Sequence, residues 1–287
     1  MLSNISQFSP FTFFRRAHRR WLYGLMSLVM TVSVVVSTPQ PGQAFPLIDL
    51  IFRGIQVIQL SSMSDSQEVT IGSQINNQLV RQQIRLYNNS SITNYVDRIG
   101  QGLVPYSDRP DIPYVFQVVE DNQINAFATM GGYVYVTTGL MRAADNEAQL
   151  ASVVSHEIGH IAARHAVKQM RERAIAGGVL TAAGLDRSQA VNIGVELAIS
   201  RPNSRQDELE ADDKGLANLS RAGYAPGAMV AFMEKLLRQG GVPTVLSTHP
   251  ATSTRIDRLN SIIDPATANV GAGLDEAAYR SQISALL

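Results

Sequence analysis

Residues 146–172, NEAQLASVVSHEIGHIAARHAVKQMRE, are the most helix-like stretch of this 287-residue chain and contain the pattern His156-Glu157-Ile158-Gly159-His160. On an α-helix, positions i and i+4 lie one turn apart on the same face, so both imidazoles can reach one metal ion. Glu157 sits about 100° round the helix, beside the two histidines rather than among them. From there it can hold a water against the metal and take its proton. Nothing in a hydrophobic core demands two His and a Glu at this spacing, which separates the pattern from a pair of buried structural histidines.

A hydrolytic zinc site needs a third protein ligand and an open fourth position. Gly at 163 and His at 166 would continue the helix in the metzincin manner, but the chain has Ala163 and Ala166, which excludes that subclass. His165 is nine residues from His156, about 180° round a continuous helix, and is expected on its surface, away from the metal. The other source is the acidic run Asp207-Glu208-Leu209-Glu210-Ala211-Asp212-Asp213, opening a second helix. Glu208 and Asp212 are i and i+4 and share a face. One carboxylate can bind zinc while the other accepts the remaining N–H of a ligand histidine and orients its ring. Helix geometry alone leaves Glu208 and Glu210 open as the third ligand, and an acidic first turn also complements the helix dipole.

Outward from these two helices the pattern is that of a helix-rich α+β domain with one small sheet. Asp65 with Glu68 three residues on reads as a capping box opening a helix. Ile92, Tyr95, Val96, Ile99 and Leu103 then recur at helical spacing. PYVFQVVE, INAFATM and YVYVTT read as three strands, with turns at Asp121-Asn122 and Gly131-Gly132. After Thr138 the chain reads as helical to its end. AIAGGVLTAAGL (174–185) is too short to cross a membrane and reads as a mobile or core helix.

Residues 1–44 carry Arg15, Arg16, Arg19 and Arg20 and no acidic residue. An apolar run from Trp21 to Val36 and Gly42-Gln43-Ala44 follow, the order of a signal peptide cut after Ala44, with an uncleaved anchor as the rival reading. Residues 45–60, FPLIDLIFRGIQVIQL, read as a short helix packed on the domain or on a membrane surface. The whole chain is neutral, with 24 Lys+Arg and 24 Asp+Glu, but the part after Ala44 carries a net charge of −4. Such a balance argues against nucleic-acid binding. With no Cys, disulfides, thiolate zinc sites and cysteine nucleophiles are excluded. Residues 45–287 are therefore expected to form a single exported domain.

HExxH followed by Ser204-Arg205-x-x-Glu208-x-Glu210-Ala211-Asp212 resembles the gluzincin metallopeptidase family forty-eight, which includes the CAAX-prenyl proteases, HtpX, BepA and the OMA-type peptidases. The resemblance runs from about Glu68 to Arg255 and takes in Tyr95-Val96, Ile99-Gly100, Asn125-Ala126-Phe127-Ala128, Gly131-Gly132 and Gly139-Leu140. It implies a mostly helical zincin-like fold with one Zn2+ per chain, Glu208 as third ligand and Asp212 as the carboxylate behind a ligand histidine. Two departures stand out. Met130 replaces a Pro common in relatives, and the segment after Met170 is unlike a transmembrane hairpin, which favours the soluble, exported branch.

His249, in Ser-Thr-His-Pro, reads either as a capping-loop residue or as an imidazole hanging over the site. There it could stabilise the oxyanion of the transition state or fill the open zinc position and hold the enzyme latent. Arg255 could steady that loop or meet a substrate carboxylate. The family likeness also implies that an edge strand near the zinc, here YVYVTT, binds substrate in extended form. The expected function is a zinc endopeptidase acting on unfolded, damaged or misassembled envelope proteins, with Glu157 as base. The alternative is a non-catalytic, zinc-stabilised chaperone or assembly factor of the same fold.

Overall fold

The computed structural model describes residues 57–181, 184–200, 203–238, 249 and 253–287. The signal-peptide or anchor reading of residues 1–44 thus lies outside the described residues, as does most of the apolar segment 45–60. What is described of that segment is not helical. Val57–Ile58 (β1) pairs antiparallel with Leu185–Asp186 (β5), and Ile58 is buried.

The first helix, α1 (Asp65–Gln82), is capped one residue earlier than its sequence suggests. The Ser64 hydroxyl accepts the Gln67 N–H, and the Gln67 side chain accepts the Ser64 N–H at 2.9 Å. Glu68 is therefore not part of the box. It is buried and bound by Arg109 at 2.9 Å and Arg164 at 3.0 Å. In α2 (Ser90–Leu103) the five apolar residues read at helical spacing are all buried, and Asn89 caps the helix.

The sheet has the order β2-β4-β3, with β2 (Val115–Val119) parallel and β3 (Ala126–Thr129) antiparallel to β4 (Tyr133–Thr137). The strand expected at the edge is thus the central one. Both sides of β4 are paired, and both its faces are buried, Val134 and Val136 in one apolar core and Tyr135 in another. Among the described residues β3 pairs with β4 alone. Gly131 and Gly132 close the hairpin with φ of 78° and 96°. A Cβ at Gly132 would stand 2.6 Å from the Pro113 carbonyl oxygen, so the turn requires glycine.

After the short α3 (Thr138–Ala143) comes α4 (Glu147–Ala162), capped by the Asn146 side chain and packed beside β3. The expected single helix over 146–172 is two. Arg164 takes a left-handed conformation, φ 58° and ψ 33°, and α5 (His165–Ala176) sets off in a new direction. Left-handed backbone at a non-glycine residue costs about 1 kcal/mol or more. Here the Arg164 side chain offsets it, donating to the Met63 carbonyl at 2.7 Å and meeting Glu68. Arg109 donates to the Ile161 carbonyl at 3.0 Å, closing the exposed end of α4.

The described part of the segment 174–185 does not form one helix either. α5 stops at Ala176, Gly178 is left-handed, and Thr181 and Gly184 form a bridge leading into β5. Among the described residues the remaining α-helices are α6 (Arg187–Ser200), α7 (Arg205–Arg221), α8 (Gly227–Arg238), α9 (Ser253–Ile262) and α10 (Glu276–Gln282). The architecture is α+β and mostly helical, with one three-stranded sheet beside α4. Among the described residues no helix is long and apolar enough to cross a membrane.

Candidate metal centre

The contact between α4 and α7 brings the acidic run to the histidines. Two glycines allow the helices to touch backbone to backbone. A Cβ at Gly159 would stand 2.6 Å from the Ala211 carbonyl oxygen, and one at Gly215 would stand 2.9 Å from the His156 Cα. The Ser155 hydroxyl donates to the Gly215 carbonyl at 2.8 Å across the same seam. At this separation Glu208 reaches both the His156 and His160 rings, and Asp212 reaches His156.

The resulting geometry is compact. The His156 and His160 Nε2 atoms lie 3.1 Å apart. Glu208 Oε2 is 3.5 Å from the first and Oε1 is 3.3 Å from the second. Donor atoms of His156, His160, Glu208 and His249 all lie within 4.8 Å of one another, and all four side chains are buried. Donors bonded to zinc at about 2.0–2.1 Å in a tetrahedron stand roughly 3.3–3.4 Å apart; the two histidine nitrogens are 3.1 Å apart, and each lies 3.3–3.5 Å from one of the two Glu208 oxygens, close to that spacing. The chemistry of the set, imidazole nitrogen and carboxylate oxygen, also suits zinc. These residues fit a bound metal.

The buried charges of the centre shift one another. Although burial opposes it, the carboxylates of Asp212 and Glu208 push His156 up to about 10. Burial drives His160 down to about 3, against the pull of Glu208. Glu208 and Asp212 are held well below the ordinary carboxylate range despite burial, Glu208 by the surrounding histidines and Asp212 by Arg255 and His156.

Each histidine has a partner on its other nitrogen. His156 Nδ1 is 2.9 Å from Asp212 Oδ1. Arg255 grips Asp212 with two bonds of 2.6 Å, and its third nitrogen is 2.7 Å from Glu208. His160 Nδ1 is 2.8 Å from His165 Nδ1. His165 is thus buried inside the site region, contrary to the surface position expected of a continuous helix, because the turn at Arg164 swings it back towards His160. Its Nε2 faces Glu210 at 3.4 Å and Asp207 at 3.6 Å, and burial keeps its pKa below the ordinary histidine value.

Glu157 is buried, and neither of its carboxylate oxygens has a hydrogen-bond partner among the described residues. Of residues 239–252 only His249 is described, and it is not a distant capping residue. Its Nδ1 lies 2.9 Å from Glu208 Oε1 and 3.3 Å from His156 Nε2, while its Nε2 is 3.5 Å from Glu157 Oε1. The Asn203 amide approaches the same Nδ1 at 3.2 Å, and Arg255 donates to the His249 carbonyl at 3.4 Å. All seven site residues read from the sequence meet here. His165 and Asn203 were missed. Nothing in the local sequence marks Arg164 as left-handed, and without that turn His165 points away.

Residues 90–263, more than half of the chain, match the family model of Peptidase family M48. The chain belongs to this family. The M48 match spans every residue of the centre just described. The chain is 34% identical over 213 residues to the beta-barrel assembly-enhancing protease of Escherichia coli (strain K12), covering 68% of this chain and 44% of that one. It is 30% identical to metalloprotease LoiP of the same organism, covering 73% of this chain and 86% of LoiP. Mitochondrial metalloendopeptidase OMA1 of Schizosaccharomyces pombe is 33% identical over 174 residues, 58% of this chain and 52% of OMA1. The chain therefore spans less than half the length of the assembly-enhancing protease.

Proposed function

We propose that this M48 chain is a zinc-dependent endopeptidase, with His156, His160 and Glu208 holding the metal and Glu157 acting as general base and acid. The observation that carries this reading is the convergence of those three donors beside a buried carboxylate with no hydrogen-bond partner among the described residues. When bound, zinc polarises the scissile carbonyl and lowers the pKa of the attacking water. Glu157 accepts the proton of that water at a carboxylate oxygen and hands it to the leaving amine. Asp212, fixed by the two-pronged grip of Arg255, holds the His156 ring with its Nε2 facing the donors. Arg255 thus steadies the site from within rather than meeting a substrate carboxylate.

His249 has two readings, and its position supports one of them. Its Nδ1 stands among the donors, touching Glu208 and close to His156, at the corner a fourth ligand would take. In this arrangement it closes the site and keeps the peptidase latent. Exchange of His249 for Ala is expected to raise basal activity; a large loss would favour transition-state stabilisation instead.

Substrates are proposed to be unfolded, damaged or misassembled proteins of the cell envelope, a reading that rests on the family likeness and on one relative's being named a beta-barrel assembly-enhancing protease. They would lie as an extended strand along β3, the strand with an unpaired edge among the described residues. A leader cut after Ala44 would deliver residues 45–287 to the periplasm as one domain. The alternative, an assembly factor in which zinc serves structure alone, leaves Glu157 without a task. Metal analysis with casein degradation, with and without a chelator, separates the two. The protease reading expects one zinc per chain and chelator-sensitive cleavage. Bound zinc without cleavage, in both the wild type and His249→Ala, would support the assembly factor.

A further inference from the structure

A cavity of about 790 Å³, including its open mouth, lies at the opposite end of α4 from the metal centre. Glu147, in the first turn of α4, lines it. It precedes His156 by nine residues, about 13 Å along the helix. The rings of Tyr95 from α2, Tyr279 from α10 and Tyr224 form the wall around that carboxylate. The Tyr95 hydroxyl donates to one Glu147 oxygen at 2.7 Å, and the Tyr224 hydroxyl donates to the other at 2.9 Å. Tyr279 donates to the Met141 carbonyl at 2.6 Å instead.

Two hydroxyl bonds leave the charge of Glu147 in place, because a neutral donor brings no positive charge. Among the described residues no Lys, Arg or His forms an ion pair with it. Burial, reinforced by Glu147, pushes both hydroxyls up, so they stay protonated and keep donating. Asp275 adds a second carboxylate to the cavity and Arg98 a guanidinium, which leaves one negative charge in excess. Arg98 is exposed, and its guanidinium carbon stands 5.7 Å from the centre of the Tyr95 ring, within cation–π range. The start of α4 is not an anion site: the Ala148 N–H donates to the Gly273 carbonyl at 2.9 Å and the Gln149 N–H to the Asn146 side chain at 3.0 Å. A divalent metal fits poorly, since it seeks several charged or carbonyl oxygens and both oxygens of Glu147 already accept a proton donor. A primary ammonium fits better. It carries three donors and no acceptor, while the carboxylate and the two phenol oxygens keep lone pairs to offer. Aromatic walls attract its charge and shelter its alkyl stem.

We propose that this cavity binds a primary alkylammonium group, carried by a lysine side chain or by a free amine, with its charge at Glu147 and its stem among Tyr95, Tyr224 and Tyr279. No residue of the metal centre takes part, so the proposal stands apart from the endopeptidase reading. Arg98 acts against binding, because it occupies one face of Tyr95 and repels a second cation. The cavity thus gives the metal-binding helix a contact for a cationic ligand at the end remote from its histidines.

The test is an NMR titration of the zinc-loaded full-length chain carrying isotope-labelled tyrosine rings. The probes are Nα-acetyl-lysine methylamide, n-butylamine, Nα-acetyl-norleucine methylamide and potassium chloride. Both amines are expected to shift the Tyr95, Tyr224 and Tyr279 signals saturably, binding about 10-fold or more tightly than the norleucine derivative or potassium. Tighter binding of the lysine derivative assigns the site to a polypeptide side chain; equal or tighter binding of n-butylamine assigns it to a free amine. Glu147→Gln removes the charge and keeps an acceptor for a tyrosine hydroxyl, and should weaken binding about 10-fold or more. Arg98→Ala, a surface exchange, should strengthen it about 2- to 5-fold. No saturable shift with either amine, in both the wild type and Arg98→Ala, overturns the proposal. So does an equal response to the norleucine derivative or to potassium, or undiminished binding by folded Glu147→Gln.

Discussion

His156 and His160 project from the same face of α4, yet their rings are held by different means. His156 is backed by a carboxylate, Asp212, which a buried guanidinium fixes in turn. His160 is backed by a second imidazole, His165, which faces the carboxylates of Glu210 and Asp207. The first arrangement depends on the packing of α4 against α7 and on Arg255, which α9 supplies. The second depends on a reversal of the backbone immediately after the helix. One half of the centre is thus built by contact between distant segments and the other by a local break.

The largest effect is expected on the His156 side. Removing Arg255 leaves Glu208 and Asp212 buried without their guanidinium, a loss of about 3–5 kcal/mol. Arg255→Ala should lower the urea midpoint of the zinc-loaded protein accordingly. A midpoint equal to that of the wild type would show that the buried pair adds nothing.

A smaller effect is expected where the helices meet. Gly215→Ala drives a methyl into the His156 backbone and should cost about 1–3 kcal/mol. Because α4 and α7 separate, zinc affinity should fall as well. If calorimetry shows the same melting temperature and zinc titration the same affinity, close helix approach is not what positions Glu208.

The smallest change in stability belongs to the His160 side, where the readout is the metal. His160 presents Nε2 to the donors when its Nδ1–H donates to His165, so His165 acts by orienting a ligand histidine. His165→Ala should weaken zinc binding by about 10- to 100-fold, measured by competition with a chromophoric chelator. His165→Asn, whose side-chain oxygen can accept the same proton, should recover most of it. Equal affinity in all three proteins would reduce the His160–His165 contact to packing.

The same contrast explains what could be read beforehand. The HExxH spacing, the shared face of Glu208 and Asp212 and the buried stripe of α2 follow from helical periodicity, which is written in the linear order of residues. The choice of Glu208 over Glu210 came from family likeness, and the structure places Glu208 among the donors while Glu210 faces His165. Strand order was not legible, because a central and an edge strand can share the alternation of Tyr133-Val134-Tyr135-Val136. The break at Arg164 was not legible either. Its conformation is imposed by Glu68 and Met63, about a hundred residues away in the chain, and no glycine announces it. The cap falls at Ser64 rather than Asp65, and Glu68, three residues after Asp65, is committed to two arginines instead.

Both halves of the centre lie beside Glu157, whose carboxylate has no hydrogen-bond partner among the described residues. The most direct test is the exchange Glu157→Gln in the full-length chain, with zinc content and casein cleavage measured on the same preparation, in the wild-type and His249→Ala backgrounds. The account predicts one zinc per chain, as in the parent proteins, and loss of cleavage. Cleavage at the parental rate by zinc-loaded Glu157→Gln would contradict it.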